Sequence, residues 1–472
     1  MKRRDALKAI GQLSAAAGMA SLLPGCGGGD GGGDGGGSND AVGITTYVYM
    51  MMENRSYDHF FGARSLREGK PGDGLTAQMS NNDINGVAVP PFEADRQTLC
   101  DIDPPHGWDE LHASWNQGAC DGFLVQHQKS HGNDATARQP MQYLTREFAP
   151  VSYALADAYA TNDRWFCSVM GPTWPNRFYW HLASAEGIMA DALPAGPLKG
   201  PSIYDRLNDK GVPWAYYFGS LPVVPAVTHV TKDQVDKNVK FFAEFLNDAA
   251  AGTLPPVVYI DPAFNMNDDH PPVHPINGQQ LIWTVYTALA KSPQWKNCLL
   301  VITYDENGGF FDHVSPPTTK DDRAADGFDQ MGFRVPTLVA GPYVKTGHVS
   351  SVVRDHTSAL HELEVAFNLE PINQRTMAAN DLSELIDTER LAAGKWNPPI
   401  ELPTVDPTTW PQPQECFGGS LFAPVPHPII EWADRNPDKI AGMDRRGDAA
   451  EYRQLILDFI AKNSGATSST KG

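Results

Sequence analysis

Two uninterrupted apolar stretches constrain the fold of this chain more than any other feature: GITTYVYMMM at 43–52 and NCLLVITY at 297–304. Both are rich in β-branched and other apolar residues, neither alternates with polar ones, and each stops abruptly at a pair of oxygen-bearing side chains. A strand with one wet face alternates. One that stays apolar throughout is covered on both faces, as in a parallel sheet held between helices. PWAYYFG at 213–219 and VPTLVAGP at 335–342 are shorter candidates of the same kind. Helical patterns lie between them, over Gln279 to Ala290 and His356 to Phe367. The alternation predicts an α/β protein, a three-layer α/β/α sandwich around a mostly parallel central sheet. A chain of 472 residues can bury a sizeable core, and its 43 glycines and 38 prolines predict long loops around the sheet.

The chemistry concentrates where those strands end. In open α/β sheets ligands bind beyond the carboxyl ends of the strands, and there the chain places Glu53-Asn54 and Asp305-Glu306. Neighbouring residues of a strand point to opposite faces, so each pair converges only where the backbone turns away. Asn307-Gly308-Gly309 supplies such a break for the second pair. Carboxylate and amide oxygens together suit a hard divalent cation such as Ca²⁺, Mg²⁺ or Mn²⁺. A hydroxyl, Thr173, stands between Pro172 and a helical pattern beginning near Pro175. There it can serve as a helix N-cap, or as a nucleophile at a helix N-terminus that attracts anions and is activated by a bound cation. The formal charge of −19 argues against a nucleic-acid partner.

The N-terminal part reads as targeting sequence. Lys2, Arg3 and Arg4 precede a modestly apolar stretch from Ala6 to Leu23, which ends at Leu23-Pro24-Gly25-Cys26. Adjacent arginines before a weakly apolar segment resemble a twin-arginine export signal, and a small residue before Cys26 resembles a lipoprotein processing site. We therefore expect residues 1–26 to be an export signal with a lipidated Cys26, and the glycine-rich residues 27–41 to be a tether. The expected location is the periplasm or cell envelope, on a membrane through the N-terminal lipid anchor. Of the other cysteines, Cys100 and Cys120 form the most local candidate pair, while Cys167, Cys298 and Cys416 are expected to be structural.

Five blocks then occur in order: ENRSYDHFFG (53–62), GPTWPNRFY (171–179), DDHPP (268–272), TYDENGGFFDHV (303–314) and RDHTSALHELE (354–364). Together they resemble the signature blocks of the bacterial phosphoesterase family of phospholipases C and acid phosphatases, which belongs to the alkaline-phosphatase-like superfamily. The resemblance implies an alkaline-phosphatase-like catalytic domain over 42–388, leaving 389–472 as a C-terminal extension. Within the extension, Glu451 to Lys462 reads as an amphipathic helix packed on the domain, before a polar, disordered tail.

Position by position, the resemblance implies Glu53, Asn54, Asp305, Glu306 and Thr173 as metal ligands, with Thr173 also the nucleophile. It implies His106 (in DPPHGW) and His270 as catalytic histidines at the phosphoryl or leaving group. Asn54, Arg177, His313 and His356 are further candidates for contact with substrate, although Arg177 also reads as a helix-surface or salt-bridge residue. The chain departs from many relatives at Asn307, where they carry histidine. The expected activity is hydrolysis of a phospholipid to diacylglycerol and a phosphorylated headgroup through a phosphothreonine. Threonine at the nucleophile position and an Asp-Glu ligand pair resemble the phospholipase C branch, whereas the phosphatase branch carries serine and Asp-Asp. The alternatives are an acid phosphatase acting on monoesters and a non-catalytic surface lipoprotein.

Overall fold

The computed structural model describes residues 43–95, 99, 102–132, 136–405, 427–437 and 449–464. The expected export signal, tether and polar tail, with Cys26, Cys100 and Cys416, lie outside the described residues.

An eight-stranded sheet forms the centre. Its strands are β1 (Thr46–Met52), β2 (Ala160–Asn162), β3 (Trp214–Phe218), β4 (Val239–Phe241), β5 (Val257–Asp261), β6 (Cys298–Tyr304), β7 (Thr337–Ala340) and β8 (His348–Ser350). They lie side by side in the order β8-β2-β7-β6-β1-β5-β3-β4. β1 sits in the middle, parallel to β5 on one side and to β6 on the other. β7 alone reverses direction, pairing antiparallel with both β6 and β2. Every residue of β1 and β6 is buried, which accounts for their unbroken apolar sequence.

The helices that matter for the site are α1 (Tyr57–Leu66), α2 (Pro150–Ala158), α3 (Thr173–Leu182), α4 (Phe242–Ala251), α5 (Pro275–Ala290), α6 (His356–Phe367), α7 (Pro428–Arg435) and α8 (Ala449–Asn463). They cover both faces of the sheet. On one face Tyr49 meets Trp180 of α3, and Tyr47 meets Phe367 of α6. Met50, Ile260 and Tyr217 form a row across the opposite face, where Tyr217 packs edge-on against Phe245 of α4. α5 lies in that second layer, touching α2, α4 and α8. The architecture is the expected sandwich, mixed α/β with a large, mostly parallel sheet.

The C-terminal extension shares the core. Ile429, Trp432 and Ala433 of α7 and Tyr452, Ile456 and Ile460 of α8 belong to the same apolar cluster as β1 and β6. α8 packs on α5. Cys120, Cys167 and Cys298 are buried free thiols, and Cys100, the other half of the candidate pair, lies outside the described residues. Cys120 is held inside the fold, with its backbone carbonyl accepting from Asn81 Nδ2 at 3.0 Å.

Candidate active site

Three loops converge at the carboxyl ends of β1, β5 and β6. β1 stops at Met52, and Asn54 takes a left-handed backbone with φ 59°. Asparagine tolerates that region better than most residues. The turn lets Glu53 and Asn54 face the same space instead of opposite faces of the sheet. After β6, Gly308 and Gly309 have φ of 63° and 69°. A Cβ on Gly308 would lie 2.3 Å from the Asn54 carbonyl oxygen, and one on Gly309 would lie 2.6 Å from that of Pro105. Glycine is therefore required where these loops touch. Backbone bonds lock the two pairs together: Asn54 N–H donates to Asp305 Oδ1 at 3.0 Å, and Arg55 N–H to the Glu306 carbonyl at 3.1 Å.

Glu53, Asn54, Asp305 and Glu306 are each 0% exposed. Glu53 Oε2, Asn54 Oδ1, Asp305 Oδ2 and Glu306 Oε1 have no hydrogen-bond partner. Buried oxygens without partners are costly, and a divalent cation is the partner that such a donor set fits. The electrostatics agree. Burial and repulsion from Glu53 push Asp305 well above the usual carboxylate range. Burial, with Asp305 beside it, does the same to Glu306. Burial also acts to raise Glu53, but His427 and Arg177 outweigh it and hold that carboxyl low.

Thr173 is the first residue of α3, not its N-cap. Pro172 occupies the cap, with no side-chain cap bond. The preceding loop is pinned by Asn176. Its Oδ1 accepts from Val169 N–H at 3.0 Å, and its Nδ2 donates to the Gly171 carbonyl at 2.9 Å. One turn after Thr173, on the same helix face, comes Arg177. Its Nη2 lies 2.9 Å from Glu53 Oε1, its Nη1 3.2 Å from Asp261 Oδ1, and its Nε 3.5 Å from Asp305 Oδ2. Arg177 is therefore fully buried among carboxylates, which corrects the helix-surface reading and leaves no face of it open to substrate. α3 consequently begins beside the four unpartnered oxygens.

His106 and His270 form the half-buried rim, with ring centroids 5.8 Å apart. His106 Nδ1 donates to the Pro104 carbonyl, and His270 Nδ1 to that of Pro271, both at 2.7 Å. Each ring thus presents Nε2 to the site. His106 Nε2 lies 3.3 Å from Asn54 Nδ2 and 3.9 Å from Glu306 Oε1. Burial acts to lower both histidines, yet Asp103 and Glu306 lift His106 to about 10, and Asp103 and Glu53 lift His270 to about 9.

The other two histidines are placed differently. His356 is buried, with Nε2–H donating to the Asp305 carbonyl at 2.7 Å and Trp165 Nε1 lying 3.5 Å from its Nδ1. Burial holds it down at about 4, so it is a neutral prop for the Asp305 backbone and not a substrate contact. His313 joins a neighbouring cluster, 2.6 Å from Asp58 Oδ2 and 3.2 Å from Asp73 Oδ1, with Arg334 bridging Asp58 and Asp312. None of its contacts reaches the Glu53–Asp305 group. Asn307 Nδ2 donates to the Phe310 carbonyl at 3.0 Å and steadies the glycine turn.

Three residues of the site were missed. Asp261, at the end of VVYID, pairs with Arg177 and accepts from the Tyr216 hydroxyl; the apolar run ending in an acid was the available signal. Asp268 is fully buried, its backbone carbonyl accepts from Glu53 N–H at 2.8 Å, and it stands in the DDHPP block. His427, on the C-terminal extension, lies 3.3 Å from Glu53 Oε1, and nothing in its local sequence announced it.

The Phosphoesterase family profile matches residues 44–370. The chain belongs to the Phosphoesterase family. It is 30% identical over 415 residues to the non-specific phospholipase C6 of Arabidopsis thaliana, covering 80% of this chain and 78% of that protein. Similarity to phospholipase C B of Mycobacterium tuberculosis is 30% over 412 residues, covering 74% and 78%. The non-hemolytic phospholipase C of Burkholderia pseudomallei is 28% identical over 502 residues, covering 89% and 68%. A Vibrio parahaemolyticus structure titled as a protein in the alkaline phosphatase superfamily overlaps with a TM-score of 0.36 at 9% identity, covering 81% of this chain and 79% of that one. Membership of the Phosphoesterase family makes this protein a hydrolase of phosphate esters, and the matched residues include the loops that carry Glu53, Thr173, Asp268 and Asp305.

Proposed function

We propose that the protein is an exported, metal-dependent phospholipase C. The observation that carries the reading is the set of four buried, unpartnered oxygens of Glu53, Asn54, Asp305 and Glu306 beside the N-terminus of α3, where Thr173 sits. Those residues, with Thr173 Oγ1, would hold the cation, which when bound would supply charge stabilisation for the threonine oxygen and the phosphoryl group. The relatives named as phospholipases C support a phosphodiester lipid as substrate.

In this mechanism Thr173 Oγ1 attacks phosphorus in line, forming a Thr–O–P bond as the bond to the diacylglycerol oxygen breaks. The positive end of the α3 dipole would favour the phosphoryl oxygens. His106 and His270 keep Nδ1 on backbone carbonyls, so Nε2 is the atom that gives a proton to the leaving alkoxide and later takes one from the attacking water. Water then hydrolyses the phosphothreonine, releasing the phosphorylated headgroup. Arg177 keeps Glu53 and Asp305 in place while balancing part of their charge. Fixed groups aimed at developing charge supply most of the acceleration.

Product analysis on phosphatidylcholine and nitrophenyl phosphate, with and without chelator, tests the proposal. Diacylglycerol and phosphocholine are expected, with loss of turnover on chelation and recovery with one divalent ion. Higher kcat/KM on the monoester with no diacylglycerol would replace the reading with an acid phosphatase, and full turnover in metal-free protein would remove the cation.

A further inference from the structure

The C-terminal extension lies beyond residues 44–370 of the family match and yet enters the site. His427 caps α7, its Nδ1 accepting from Ile429 N–H at 3.3 Å. A ring nitrogen that accepts leaves the proton of a neutral imidazole on the other, Nε2. That atom lies 3.3 Å from Glu53 Oε1. The ring is stacked on Phe264 at 4.4 Å with a 14° tilt and meets Trp174, next to Thr173, edge-on at 5.6 Å. Phe264 in turn lies under the Arg177 guanidinium at 4.9 Å. Held on two sides and nearly excluded from solvent, the imidazole has one direction in which to offer its N–H.

The consequence falls on the Glu53 carboxylate. Arg177 Nη2 and His427 Nε2 both approach Oε1 as ion-pair contacts, at 2.9 and 3.3 Å, and neither reaches Oε2, which has no partner. Partners of this kind fix a ligand's orientation, and losing one typically costs about 10–100-fold in metal affinity. α7 is held by Ile429, Trp432 and Ala433 in the shared core. A second strut comes from α8. The Tyr452 hydroxyl accepts from Asn267 Nδ2 at 3.3 Å, and Asn267 Oδ1 accepts from Ala263 N–H at 2.9 Å, bracing the loop that carries Asp268 and His270.

We infer that the C-terminal extension is an integral wall of the active site, and that His427 is a positioning residue that orients Glu53 for the cation. The inference rests on the metal reading proposed above.

Two variants of the full chain separate the donor from the packing. His427→Phe keeps the ring against Phe264 and removes the N–H, while His427→Gln keeps a donor and removes the ring. Ca²⁺ and Mn²⁺ affinities are measured by competition with a chromophoric chelator, and melting temperature is measured in metal-free protein. The Phe variant should bind the ion about 10–100-fold more weakly than wild type, and the Gln variant should recover most of that loss. Equal affinity in the Phe variant and wild type would overturn the inference, as would a Gln variant as weak as the Phe variant. Wild type that binds no ion would instead bring down the metal reading itself.

Discussion

Arg177 occupies a position where removal and replacement have opposite logic. Its guanidinium faces Glu53, Asp261 and Asp305 with no solvent exposure. A methionine there would leave three buried carboxylates facing one another, at a cost of about 3–5 kcal/mol. We expect Arg177→Met to lower the unfolding free energy from urea denaturation by that amount in metal-free protein, with partial recovery on adding a divalent ion; a loss below about 1 kcal/mol would mean that Arg177 is not their counter-charge. Thr173 predicts the reverse pattern. Losing its hydroxyl removes a reacting atom and little packing, so Thr173→Ala should lower kcat on the order of a thousandfold or more. Its melting temperature should stay within about 2 °C of wild type. Retained turnover would exclude Thr173 as nucleophile. On local grounds Thr173 reads as easily as a helix cap, and it is the resemblance of GPTWPNRFY to the family block that singles it out as nucleophile candidate. Arg177 was only half legible, since salt-bridge chemistry can be read from its type but burial cannot.

Among the elements, β1 and β6 were recognisable because both-face burial writes itself into sequence as an unbroken apolar run. The direction of β7 was not. VPTLVAGP has the same composition whether it runs with or against its neighbours, and only the connection from β6 decides. The glycine turn after Asp305-Glu306 was also legible, because Gly308 and Gly309 alone fit where the loop meets Asn54 and Pro105. At the sheet edge, Glu384 ties β8 to the chain that follows it. Its carboxylate lies 2.6 Å from both His348 Nε2 and Ser350 Oγ, and 3.5 Å from Arg354 Nη2. Burial acts to raise it, but bonds from Ser350 and His348 dominate and hold it at about 2 against an ordinary 4.5. A folded value below the unfolded one means stability that is present above pH 4.5 and lost as pH falls toward 2. Glu384→Gln should therefore cost about 1 kcal/mol at pH 7, allowing for solvent screening of the partly exposed group. Denaturation followed from pH 7 to pH 2 should show the variant and wild type converging below about 4.5; a constant gap would assign the loss to packing.

At the scale of the whole molecule, the proposed N-terminal signal and the C-terminal extension pose opposite questions. The first is a matter of address. If Cys26 carries lipid, Cys26→Ser should move the protein from the membrane to the soluble exported fraction in a detergent-partition assay; unchanged partition and labelling would remove the anchor. The second is a matter of construction, since α7 and α8 share the core cluster and His427 and Tyr452 reach the site loops from the far end of the chain. The sequence by itself determined the α/β class, the strand-end pairs Glu53-Asn54 and Asp305-Glu306, the nucleophile candidate Thr173 and the rim histidines. Each of these leaves a local trace: an apolar period, a tandem of oxygens, a glycine break, or a block shared with relatives. Only the tertiary structure decided that Arg177 balances Glu53 and Asp305, that His356 props a backbone carbonyl, that His313 belongs to another cluster, and that His427 faces Glu53. Those facts are distances between residues far apart in the chain, and they are set by how layers pack against the sheet, which no local pattern of side chains encodes.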